Sequence, residues 1–132
     1  MGTRADFYIG RGEEAEWIGS IAWDGMHVPE VADAMTEKQF RGGVDKLRER
    51  DDFTDPEMGW PWPWPDSRTT DYAYAFDEGT VWVSCFGSEW WQAVTEPTDE
   101  ILDNRVAVFP PYGGRENKPT LGRRSGVIIF RG

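Results

Sequence analysis

A single α+β domain, with a mainly antiparallel sheet of about six short strands and one principal helix, is the fold that the sequence predicts. Three observations carry this. Two stretches alternate large and small or differing side chains between two faces, both carrying apolar groups, around glycine-bearing turns, the signature of β-hairpins. One stretch repeats apolar residues at intervals of three and four behind a capping box, which marks a helix. The 132 residues, 39% hydrophobic and 14% aromatic, suffice for one core and give no reason to divide residues 1–132.

The elements follow in order. Residues 5–10, with Phe7, Tyr8 and Ile9, read as a strand; Arg11-Gly12-Glu13-Glu14 is a turn, and 16–23 returns to Asp24-Gly25. Alternation places Trp17, Gly19, Ile21 and Trp23 on one face, with Ile18, Ser20 and Ala22 on the other. Pro29 suits the first helical position of a short segment ending near Ala34. Thr36 and Gln39 form the capping box of the principal helix, which runs to about Arg50 with Phe40, Val44 and Leu47 on its buried stripe. Gly42 and Gly43 each cost that helix about 1 kcal/mol relative to alanine, so packing must hold it.

Residues 51–67 have no period and read as an ordered excursion, because they contain Phe53, Met58 and three tryptophans. The clearest hairpin comes next. Tyr72, Tyr74 and Phe76 alternate with Ala73 and Ala75, Asp77-Glu78-Gly79 is the loop, and Val81, Val83 and Cys85 alternate with Trp82, Ser84 and Phe86. Trp90-Trp91 either extends a strand or begins a helix, and Pro97 favours a helical turn to about Leu102. Residues 105–109 are expected as a strand stopped by Pro110-Pro111, and 127–130, apolar without alternation, as an interior strand.

Charge is divided along the chain. The net charge is −10, but residues 1–104 hold eight basic against 23 acidic side chains, whereas 105–132 hold six basic residues and Glu116. Such a body repels nucleic acid and anionic membrane, and a partner with a basic surface is the complementary one. The basic stretch with Arg115, Lys118, Arg123 and Arg124 either neutralises the body or contacts phosphate; the acidic excess disfavours a nucleic-acid partner. No apolar run approaches the roughly 20 residues that span a bilayer, and the first residues lack an apolar leader core, so a cytoplasmic protein is expected. Neither a monomer nor a symmetric dimer is fixed by the sequence.

The segment GWPWPWPDS, residues 59–67, is the most unusual in composition. Pro61, Pro63 and Pro65 have no amide donor and hold their neighbours extended, so the segment cannot be an interior strand. In an extended chain Trp60, Trp62 and Trp64 share one row; in polyproline II they point three ways. One reading is a stiff flap whose rings fold back as a satellite core. The other is an aromatic platform for a protein partner or a sugar, flanked by Asp51, Asp52, Asp55 and Asp66 as the binding carboxylates.

Catalytic motifs are sparse. His27 and Cys85 are the only histidine and cysteine, so a thiolate pair requires these two to meet; a buried structural thiol is the commoner outcome. No phosphate loop, H-E-x-x-H, C-x-x-C or G-x-S-x-G is present, and no cofactor or metal is expected. Asp51, Asp52, Asp55 and Glu57 lack the glycine and terminal glutamate of a calcium loop. A non-catalytic protein-binding module is therefore the leading expectation, and a carbohydrate-binding or carbohydrate-acting protein with paired carboxylates the alternative. The opening GTRADFYIGRGEEAEWIGSIAWDG, residues 2–25, resembles that of a group of small proteins of unassigned activity encoded in bacterial and prophage genomes. The resemblance implies a bacterial or phage setting and carries no site residue.

Overall fold

A computed structural model describes residues 2–94, 97–104 and 106–111. Strands β1 (Ala5–Ile9), β2 (Glu16–Ile21), β3 (Phe53–Thr54), β4 (Tyr72–Asp77), β5 (Thr80–Cys85) and β6 (Trp91–Gln92) form one sheet, ordered β3-β2-β1-β4-β5-β6. Helices α1 (Pro29–Ala32), α2 (Glu37–Leu47) and α3 (Asp99–Asn104) complete the described elements. All strand pairs are antiparallel except β1 with β4, which run parallel at the centre. The chain leaves β2, passes through α1, α2, β3 and the tryptophan-rich excursion, and re-enters beside β1 in the same direction.

Both expected hairpins form. Between β4 and β5 the turn residues Glu78 and Gly79 have φ of 54° and 80°, the left-handed pair whose twist suits a two-residue hairpin. The α2 capping box is complete: Gln39 N–H donates to Thr36 Oγ1 at 3.1 Å, and Thr36 N–H donates to Gln39 Oε1 at 3.2 Å. The helix ends at Leu47 rather than Arg50, because the amides of Arg48, Glu49 and Arg50 bond three residues back and tighten the last turn. Phe40, Val44 and Leu47 are buried as the periodicity predicts. Gly43 is buried as well. A Cβ there would overlap the carbonyl oxygen of Glu30, so this glycine is where α1 lies directly on α2, whereas Gly42 faces open space.

The two sheet faces are covered differently. On the helix side Phe7, Ile18, Ile21, Phe53, Tyr74, Phe76, Val81, Val83 and Trp91 join the α2 stripe in the main core. Tyr8, Trp17, Ala73, Ala75, Ala107 and Phe109 form a second cluster on the opposite face, with Trp60 and Trp90 packed against it. Strict alternation misplaces Trp17. The register shifts between Phe7 and Tyr8, so that Phe7 pairs with Gly19 and Tyr8 with Trp17. The extra residue, Ile18, turns to the main core, and Trp17 joins Ser20 on the other face.

Two further expectations change. Residues 106–109 are an extended strap with a single bridge, Val106 to Ser88, rather than a ladder strand. Ala107 and Phe109 are buried on the small side chains of Ala73 and Ala75, while Val106 and Val108 face outward. In its place β3, inside the excursion, and β6, at Trp91, supply the sheet's two edges. Arg105, the loop 112–126 and the expected strand 127–130 lie outside the described residues.

Candidate functional site

Residues 60–66 are fastened to the body by side chains. Three of these residues are prolines without amides, and neither Trp62 nor Trp64 donates its amide to a main-chain carbonyl among the described residues. Instead the indole N–H groups of Trp62 and Trp64 turn to the body, and that of Trp60 closes the segment on itself. Trp60 Nε1 donates to Trp64 O at 2.6 Å, Trp62 Nε1 to Asp6 Oδ1 at 2.7 Å, and Trp64 Nε1 to Thr70 Oγ1 at 2.8 Å. Trp60 meets Trp17 edge-on, with ring centroids 5.0 Å apart. Trp62 and Trp64 stack with centroids 5.7 Å apart and planes 19° from parallel. The Arg4 guanidinium lies 5.6 Å and 5.7 Å from their centroids. All three tryptophans are half-buried. Alternate rings therefore share a row only at Trp62 and Trp64, and Trp60 belongs to the second cluster.

Asp6, fully buried on β1, lies beneath this flap. Ser20 Oγ donates to its Oδ1 and Ser67 Oγ to its Oδ2, each at 2.5 Å, and Trp62 completes the bonds at Oδ1. Tyr8 OH and Ser67 Oγ are 2.6 Å apart, and Trp17 Nε1 donates to Ser20 Oγ at 2.9 Å. One carboxyl thus ties β1, β2, the turn at 67–70 and the flap together. Burial raises its pKa, against the lowering effect of Ser20, Ser67, Trp62 and Thr70.

The acidic residues of the binding expectation are distributed rather than gathered. Asp51 is exposed. Asp52 accepts the amides of Ala22 and Trp23 and pairs with Arg50 at 2.7 Å. Burial pushes its carboxyl up, but Arg50 and the two amides outweigh this and hold it below the usual carboxylate range. Asp55 accepts the amides of Glu57 and Met58 and pairs with Arg48, and buried Asp66 pairs with Arg68 and caps the turn at 67–69. His27 is exposed, and Cys85, half-buried beside Tyr72, has its thiol pKa pushed up by burial. Among the described residues no group of three or more His, Cys, Asp or Glu is placed to hold a metal ion, and no helix is long and apolar enough to cross a membrane.

The two displaced carboxyls give opposite pH dependences. Asp6 keeps its proton to higher pH when folded, so its contribution to stability falls as pH rises from the ordinary carboxylate range through its folded pKa. Asp52 holds its proton less well when folded, so its contribution is lost as pH falls through its folded pKa. Urea midpoints are expected to show wild type gaining on Asp6→Asn as pH falls from about 7 to about 4, and losing ground to Asp52→Asn as pH falls further, from about 4 to about 2, where a carboxyl held below its usual range takes up its proton. Parallel profiles for all three proteins would refute the assignment.

Sequence reasoning singled out the tryptophans but missed Asp6. A carboxylate between Ala5 and Phe7 in an apolar strand is a legible signal, because an interior strand position tolerates a charge only where donors surround it. Comparison with known protein families, with curated proteins and with solved structures gives no match for this chain.

Proposed function

We propose that the protein is a cytoplasmic, non-catalytic binding module whose Trp62–Trp64 face docks a partner protein with a basic surface. The bacterial or phage setting implied by the opening residues fits an inhibitor or accessory factor. The observation that carries this reading is the stacked, partly exposed pair whose indole N–H groups are both spent inward. Its ring orientation is set before any partner arrives, which reduces the entropy cost of docking. The pair already receives the Arg4 guanidinium, and a ring face that attracts one cation suits a partner's arginine or lysine. The acidic excess of residues 1–104 supplies the long-range attraction. A sugar would use the same rings, but Asp52, Asp55 and Asp66 are engaged by arginines, which suits a structural role better than acid and base catalysis.

Affinity capture from bacterial lysate, at low and high salt, compares wild type with Trp64→Ala. Trp64 is the better choice because its indole bonds a hydroxyl, whereas loss of Trp62 also strips a donor from Asp6. A specific partner is expected to be retained by wild type at low salt and to fall about tenfold or more with Trp64→Ala, as at an aromatic hot spot. Recovery of the same partner irrespective of salt and substitution would refute the reading, and binding only to a glycan array would favour the sugar.

A further inference from the structure

On the sheet face opposite the helices, a cleft of about 340 Å³ lies between the Arg11-Gly12 turn, Trp90 and the 106–108 strap. Three features of its wall are unspent. Among the described residues Trp90 Nε1 is buried without a hydrogen-bond partner, which is uncommon for an indole and costly if nothing ever meets it. Ala107 N–H donates to Gly87 O at 2.8 Å, so one edge of the strap is used. By the two-residue period of extended chain, the amides and carbonyls of Val106 and Val108 face the other way, and they make no hydrogen bond among the described residues. Val106 and Val108 are also 63% and 49% exposed. This is the pattern of an open strand edge with outward-facing side chains.

Charge selects the occupant. Arg11 spends its guanidinium on Asp77 at 2.9 Å and Glu78 at 3.0 Å and stacks over the Trp82 ring. Asp77 and Glu89 line the wall beside Glu78, and among the described residues Arg11 is the cation on that wall and is already paired. We infer that this cleft receives an extended segment of a partner protein with lysine or arginine at alternate positions, added as a strand along Val106–Val108. Strand addition supplies carbonyls to the unspent amides, and alternate basic side chains reach the acidic rim. Trp90 Nε1 takes a peptide carbonyl when the ring shifts to admit the strand. The inference deepens the reading of a basic protein partner and rests on it for the sign of the charge, but it uses a different surface from the flap.

The probe is the capped peptide acetyl-Lys-Val-Lys-Val-Lys-Val-amide, titrated into the ¹⁵N-labelled full chain and followed by NMR. Saturable shifts are expected at the Val106 and Val108 amides and at the Trp90 indole N–H, weakening as salt rises. Trp90→Phe, which keeps the ring against Phe109, and Val108→Pro, which removes one amide, are each expected to weaken binding about tenfold. Trp64→Ala is expected to leave it unchanged, so failure at the cleft and failure at the flap are separable. The same peptide N-methylated at alternate residues, which cannot pair, and its glutamate counterpart are expected not to bind. If Val108→Pro does not fold, Trp90→Phe and the N-methylated peptide still decide. Absence of shifts at these three groups, equal binding of the glutamate or N-methylated peptide, or amides at Val106 and Val108 already protected from exchange in the free protein would each overturn the inference.

Discussion

Gly43→Ala is expected to destabilise the protein by about 3 kcal/mol, while Gly42→Ala, one residue earlier, stabilises it by about 1 kcal/mol. Helix propensity treats the two positions alike, since each glycine costs the helix its backbone entropy. The surroundings do not. At Gly42 an added methyl meets open space, so only the propensity gain remains. At Gly43 the methyl meets the Glu30 carbonyl oxygen, an atom fixed in the backbone of α1, and Val31 beside it. Relief requires α1 to lift from α2, which opens the core around Val31, Phe40 and Val44. Thermal or urea unfolding of both variants decides the matter. Equal stabilisation by the two substitutions would show that α1 yields freely and that the helix contact adds little.

That pair also shows where the sequence was legible. Repetition at fixed spacing was readable: the Tyr72–Phe76 and Val81–Cys85 alternation, the Thr36 and Gln39 cap, and the Phe40, Val44, Leu47 stripe all formed, because each depends on neighbours within one element. What was not readable depends on contact across elements. The cost of Gly43 becomes a packing requirement only once α1 is laid on it. Trp17 changes face because of a one-residue irregularity opposite Phe7 and Tyr8 that no period announces. Phe53–Thr54 is too short for alternation to mark and becomes a strand only because Ser20 and Ile21 offer it an edge. For the candidate site, composition pointed to the 59–67 segment and its prolines correctly predicted a chain that cannot join a sheet interior. The partners that hold it, Asp6 and Thr70, lie outside the segment, and Asp6 is 56 residues from Trp62.

Removal of that partner has the larger consequence. Asp6→Ala is expected to cost about 3–5 kcal/mol, because it leaves the hydroxyls of Ser20 and Ser67 and the Trp62 indole around an unfilled buried space. Asp6→Asn keeps the shape and is expected to cost less, about 1–2 kcal/mol. Serine hydroxyls rotate and can accept from the new amide group, whereas the indole N–H of Trp62 only donates and must compete for the single remaining oxygen. Trp62 should therefore report the difference. Asp6→Ala is expected to red-shift tryptophan emission and to raise its quenching by acrylamide, with Asp6→Asn intermediate. Trp62→Phe provides the check: if Asp6 holds the flap through this bond, the losses from Asp6→Ala and Trp62→Phe overlap, and the double variant costs less than their sum by about 1.5–3 kcal/mol, the scale of a hydrogen bond to a charged group. Strict additivity, with unchanged quenching in Asp6→Ala, would mean that the flap is seated without help from the bond between Trp62 and Asp6. The stacked face presented by Trp62 and Trp64 would then owe its orientation to Arg4 and Thr70 rather than to the buried carboxyl.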